Sequence, residues 1–167
     1  MEELIHILKG QRIGILYLLK MVPLELWDWK PAPNMRTTAE LATHLACAPM
    51  SLYKGMVDPF PDEKSYVAFE EENTPTNAQG LVKLYEEGLK MLIAFLGEHL
   101  EDAHEKQIQF WYQKEKSSIN KEVFGEIGHE WLHVGQLFTY LKQNGVPVDM
   151  GTYYCYKDPD PTIPPNK

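Results

Sequence analysis

His129 and His133 stand four positions apart. On a helix that spacing projects both imidazoles from one face, about one turn apart, so that they can share one transition-metal ion. Glu126 and Leu137 extend the same face. His44 falls between Leu41 and Leu45 in a segment with helically spaced apolar residues, which puts it on an inward side too. Three inward histidines from two helices can meet in a bundle interior and leave a coordination position for water or substrate. An open position is what separates a catalytic metal from a structural one. Because the imidazoles are neutral, a divalent ion held by them keeps its full charge and acts as a strong Lewis acid. It can deprotonate a bound water or a bound thiol near neutral pH. The other histidines, His6, His99 and His104, have no partner at ligand spacing and are assigned to solvent or local hydrogen bonds.

The segment His129-Glu130-Trp131-Leu132-His133 also matches H-E-x-x-H, in which a glutamate serves as general base in zinc peptidases. That makes Glu130 a candidate catalytic residue. The match is thin, because such enzymes draw a third ligand from downstream. After His133 the chain offers no His or Glu, only Asp149, Asp158 and Asp160. Glu126 or Glu130 could orient a ligand or move a proton, although solvated carboxylates on a helix face are the plainer reading. Cys47, three positions after His44, reads as a small buried hydrophobe rather than a ligand or nucleophile.

The elements that must position these residues are helical. Leu4, Leu8, Ile15, Leu18 and Val22 share a stripe that Pro23 ends. A second helix opens at Thr37, where Glu40 completes a capping box, and runs to about Val57 with a kink expected at Pro49. The acidic stretch to Pro75 reads as irregular, with a helical turn or two over Tyr66 to Glu72. Thr76 and Gln79 repeat the capping-box spacing before a third long helix, in which Gly88 is a weakness of about 1 kcal/mol. Gln107 to Phe110 alternates like a short extended segment. Ser117 or Ser118 then caps a last helix that stops at Gly145. The expectation is an all-α four-helix bundle over residues 1–146. A Pro-rich, non-helical tail over 147–167 should pack on the bundle through Tyr153-Tyr154-Cys155-Tyr156 and fray at its end.

Composition narrows the partners. Sixteen basic against twenty-four acidic residues in 167 give a net charge of −8, which repels phosphate backbones and anionic lipid. The longest apolar stretch, Ile13 to Leu19, is far below the ~20 residues of a membrane-spanning helix. The start Met1-Glu2-Glu3 lacks the basic run of a secretory signal, and Cys47 and Cys155 form no disulfide framework. A cytoplasmic protein acting on a small molecule, with no nucleic acid or membrane partner, is expected.

Two longer stretches carry a family likeness. Trp29-Lys30-Pro31-Ala32-Pro33-Asn34-Met35-Arg36-Thr37 leads into Glu40-Leu41-Ala42-Thr43-His44. His129 to Leu137, with Val134-Gly135-Gln136-Leu137 after the second histidine, is followed by Tyr140-Leu141 and Gly145. Together these resemble the DinB/YfiT-like superfamily of small metal-binding four-helix bundles, with its Pro-rich connection, its ligand histidine on the second helix and its H-x3-H-R-G-Q-L element. The resemblance implies that His44, His129 and His133 bind a divalent transition metal such as zinc, nickel or iron. It further implies a metal-dependent transferase that activates a low-molecular-weight thiol, or a hydrolase using metal-bound water, in a homodimer. A non-catalytic metal-binding or dimerisation protein is the alternative. Val134 stands where the family commonly has arginine and Leu132 where it often has a further histidine, so a candidate anion contact is lost. Nothing in this acidic sequence supports action on DNA.

Overall fold

The computed structural model describes residues 1–153. Four long helices, α1 (Glu2–Lys20), α2 (Thr38–Val57), α4 (Ala78–Glu98) and α5 (Ile119–Gln143), form the bundle. A shorter α3 (Glu63–Glu72) and a single turn, α6 (Met150–Tyr153), accompany them. Each of α1 and α2 packs against both α4 and α5, so the square runs α1, α4, α2, α5, and the α2–α4 interface is the most extensive. The two helices that carry the three histidines are therefore neighbours.

The helix ends follow the sequence chemistry. Thr37 caps α2 through its hydroxyl, which accepts from the Glu40 amide at 3.1 Å, and Glu40 accepts from the Thr37 amide at 2.7 Å. The aromatic connection before it is tied down by hydrogen bonds. The Trp29 carbonyl accepts from the Thr38 amide at 2.8 Å and from its hydroxyl at 3.1 Å, while the Trp29 ring meets Tyr140 of α5 edge-on at 5.4 Å. Ser118 caps α5, and Gly145 supplies the left-handed residue (φ 76°) that ends it. A two-residue antiparallel pair, β1 (Gln107–Ile108) with β2 (Ser117–Ser118), delivers the chain into α5.

Four expectations need revision. The cap of α4 is Asn77, whose side chain accepts from the Gly80 amide, so the Thr76/Gln79 spacing is coincidental. The helix α3 is ten residues long because Asp62 and Ser65 form a second capping box at its start. Helix does follow Val146, since the one-turn α6 fits between Pro147 and Pro159. Gly88 is required rather than merely tolerated. A Cβ there would lie 2.8 Å from the Met50 backbone nitrogen, so its absence is what lets α2 and α4 approach.

Beyond α5, Val148 and Tyr153 are buried, and the Tyr153 ring lies over Gly14 of α1. The expectations for Tyr154, Cys155, Tyr156 and the fraying end fall outside the described residues.

A candidate three-histidine metal centre

The bundle brings His44, His129 and His133 together, with one ring nitrogen of each within 4.8 Å of the others. The converging atoms are all Nε2. That of His129 lies 3.1 Å from His44 Nε2 and 2.9 Å from His133 Nε2. His44 is buried and the other two rings are half-buried. The i, i+4 spacing on α5 places one pair, and the α2–α5 contact presents the third.

The opposite edge of each ring is held separately. His44 Nδ1 faces the Glu70 carboxylate of α3, which also accepts from the Tyr66 hydroxyl at 2.8 Å. His129 Nδ1 faces Glu126 Oε1 at 3.2 Å, one turn earlier on α5. His133 Nδ1 faces Gln136 Oε1 at 2.8 Å. Carboxylates and amide oxygens accept only, so each Nδ1 carries the hydrogen and each Nε2 presents a lone pair. Lone pairs converging like this, with His129 Nε2 about 3 Å from each of the other two, repel unless a cation lies among them. A metal with Zn–N-like bonds of about 2.0–2.1 Å puts its nitrogens about 2.9–3.4 Å apart, so the donor set fits a divalent transition ion.

The protonation tendencies agree with ligand chemistry. Burial, reinforced by the two neighbouring histidines, pushes His133 down to about 4, which keeps its imidazole neutral. Burial opposes charge on His129 too, but the Glu126 carboxylate outweighs it and raises the ring's proton affinity, making it a more basic donor. Burial pulls Glu70 toward protonation, but its bond to His44 prevails and keeps it ionised.

Glu130 lies elsewhere. Its side chain is fully buried and accepts from the Gln11 amide of α1, whose own oxygen accepts from the Trp131 indole at 2.8 Å. Burial, then the charge of Glu126, push it toward the protonated form. Among the described residues its hydrogen bond is with Gln11 and not with any of the three histidines. Cys47 is buried, and burial followed by the Glu70 charge pushes its thiol up to about 12. His99 bonds to Asp102 and Lys106, and His104 to Asn120, as local hydrogen-bonding residues do.

The sequence reading missed Glu70, Tyr66 and Gln136. Tyr66 and Glu70 were hidden in a stretch read as largely irregular, although their i, i+4 spacing inside a short helix was a signal. Gln136 stands three positions after His133 as Glu126 stands three before His129, and that symmetry could have exposed it.

Beside His129 opens a pocket of about 440 Å³. Phe60, Tyr66, Phe110, Trp111 and Tyr112 wall it, with Glu122 and Glu126 on the α5 side. The rings touch in series, Phe60 to Tyr66 at 5.4 Å, Tyr66 to Trp111 at 6.3 Å and Trp111 to Tyr112 at 5.4 Å.

A helical bundle with a centre of three histidines and an adjoining pocket is the class that fold and site define. The family model of the DinB superfamily matches residues 8–137, and the chain belongs to that superfamily. Its fold is shared by the crystal structure of a DinB-like protein from Bacillus cereus, at a TM-score of 0.70 and 19% identity over 89% of this chain and 97% of that one. A DinB-like protein from Bacillus subtilis matches at a TM-score of 0.66 and 18% identity, over 87% and 96%. Among curated proteins, none matches this chain. No helix among the described residues is long and apolar enough to cross a membrane.

Proposed function

We propose that this protein is a metal-dependent transferase that activates a low-molecular-weight thiol for attack on a small electrophile. The observation that carries the metal is the convergence of three Nε2 lone pairs whose rings are oriented by Glu70, Glu126 and Gln136. A divalent ion there would supply Lewis acidity, lowering the thiol's pKa so that it reacts as the thiolate. His44, His129 and His133 would hold the ion, leaving other coordination positions to the substrate. The pocket beside His129 supplies room for a small molecule and aromatic walls that exclude water. Water in place of the thiol gives the hydrolase variant of the same reading. The burial of Glu130 in the core beside Gln11 argues against a proton-transfer role for it, and with it against the peptidase reading.

A second reading, a non-catalytic metal-binding protein that pairs through helices, has one observation in its favour. Phe124, Trp131 and Leu132 of α5 are 68%, 46% and 59% exposed, and Ile13 of α1 is 52% exposed. A homodimer would cover them.

Metal content by mass spectrometry and thiol conjugation to a chloronitrobenzene separate these readings. One equivalent of metal with thiol-dependent turnover, both lost in the His44/His129/His133→Ala variant, is expected. Metal without thiol binding or turnover favours the second reading. Stoichiometric metal in the triple variant overturns the site.

A further inference from the structure

The pocket beside His129 has a chemical character of its own. Its walls are five aromatic side chains, and Trp111 (36% exposed) and Tyr112 (62%) form the rim, while Phe60 and Phe110 are buried behind them. The charged residues lining it are Glu122 and Glu126, and among the described residues that line it none is a lysine or arginine. Glu122 is buried, and its hydrogen bonds come from neutral donors, the Ser117 hydroxyl and the Gln113 amide at 2.8 Å. Glu126 is engaged through one oxygen by His129. The nearby Lys54 lies over the Phe60 ring at 5.0 Å but is paired with Asp58 at 2.7 Å. The negative field is felt locally. Burial first, then Glu122 and Glu126, push the Tyr112 phenol up to about 12, so the ring stays neutral and keeps its electron-rich face.

Aromatic faces together with a buried carboxylate held only by neutral donors, as Glu122 is, are what a desolvated organic cation needs. The quadrupoles of the rings attract its diffuse charge, and the carboxylate balances it. An anionic ligand would meet repulsion here, and a neutral one would leave the carboxylate unused.

We propose that this pocket binds the ammonium-bearing end of a small organic substrate. The proposal names the substrate class of the site described above and rests on that reading for placing the reacting end at the histidines. Its other end, quaternary or protonated amine, would lie among Tyr66, Trp111 and Tyr112 with Glu122 and Glu126 behind. The charge balance tolerates both cations, because Glu70 and Glu126 stand behind His44 and His129 and offset a dication, while Glu122 remains for the ammonium.

The test is calorimetric titration of the full chain with choline and with its uncharged tert-butyl analogue, before and after treatment with a chelator. Metal content is measured on the same samples. Choline is expected to bind at least about fivefold tighter than the neutral analogue, to weaken with added salt, and to lose that preference in Trp111→Leu and Tyr112→Leu. Both substitutions are at the rim, and circular dichroism checks their fold. Equal or tighter binding of the neutral analogue, no saturable binding of choline, or a preference untouched by the two folded variants overturns the proposal. A choline preference in a protein that never retains metal sinks the metal reading and leaves this one standing. Retained metal without the preference does the reverse.

Discussion

At the scale of single residues, the site depends on which edge of each imidazole is committed. Glu70 fixes His44 as its Nε2 ligand form and adds negative charge behind it, so removing the charge while keeping an acceptor should loosen the metal without unfolding the chain. Glu70→Gln is expected to weaken metal affinity by about 10- to 100-fold in chelator competition, with unchanged circular dichroism. The candidate ligands His129 and His133 were legible because i, i+4 spacing is a local property. Glu70 was not, since it is one of six carboxylates between Asp58 and Glu72, and only the tertiary fold singles out the one that reaches His44. Cys47 gives a second prediction. Its thiol keeps its proton to about 12 when folded, against the usual 9.0. Between those values only the unfolded chain gains by releasing the proton, so this contribution to stability is whole below pH 9 and declines as pH rises toward 12. In a Cys155→Ser background, iodoacetamide at pH 8 should label Cys47 only as fast as the chain opens. Rapid labelling of the native protein would contradict its burial.

At the scale of elements, the long helices were readable because amphipathic stripes and caps repeat over many residues. Thr37 with Glu40 marked the start of α2, and Gly145 the end of α5. Three features were not readable. Asn77 rather than Thr76 caps α4, because neighbouring residues both capable of capping are distinguished by backbone geometry. The helix α3 is stabilised by Asp62 and Ser65 at its start, in a segment whose charges suggested a loop. The need for Gly88 arises from Met50 on another helix, which no local pattern contains. Gly88→Ala should raise intrinsic helix propensity yet destabilise the protein by about 1–3 kcal/mol, because the new methyl meets backbone that cannot rotate away. Thermal melting reads this directly. At about 2–4 °C per kcal/mol for a chain of this size, a fall of several degrees is expected, and a rise would show that α2 and α4 separate easily.

At the scale of the whole molecule, the C-terminal segment is part of the core as far as it is described. Val148 and Tyr153 are 0% and 5% exposed, and the latter covers the groove that Gly14 leaves on α1. A chain ending at residue 146 is expected to lose at least about 3 kcal/mol relative to one ending at 153, measured by urea unfolding. Equal stability would mean that the bundle closes over the gap. The net charge of −8 has its own geography: Glu70, Glu122 and Glu126 gather near the histidines, where a cation has the most to gain.

The convergence of His44 with His129 also joins points 85 positions apart in the chain. An ion held there would close a loop spanning α3, α4 and the β1–β2 pair, acting as a reversible cross-link between the two halves of the bundle. Unfolding would then require its release, so every tenfold excess of free ion over its dissociation constant adds about 1.4 kcal/mol to the folded state. The melting temperature of this protein would thereby become a gauge of the metal supply around it.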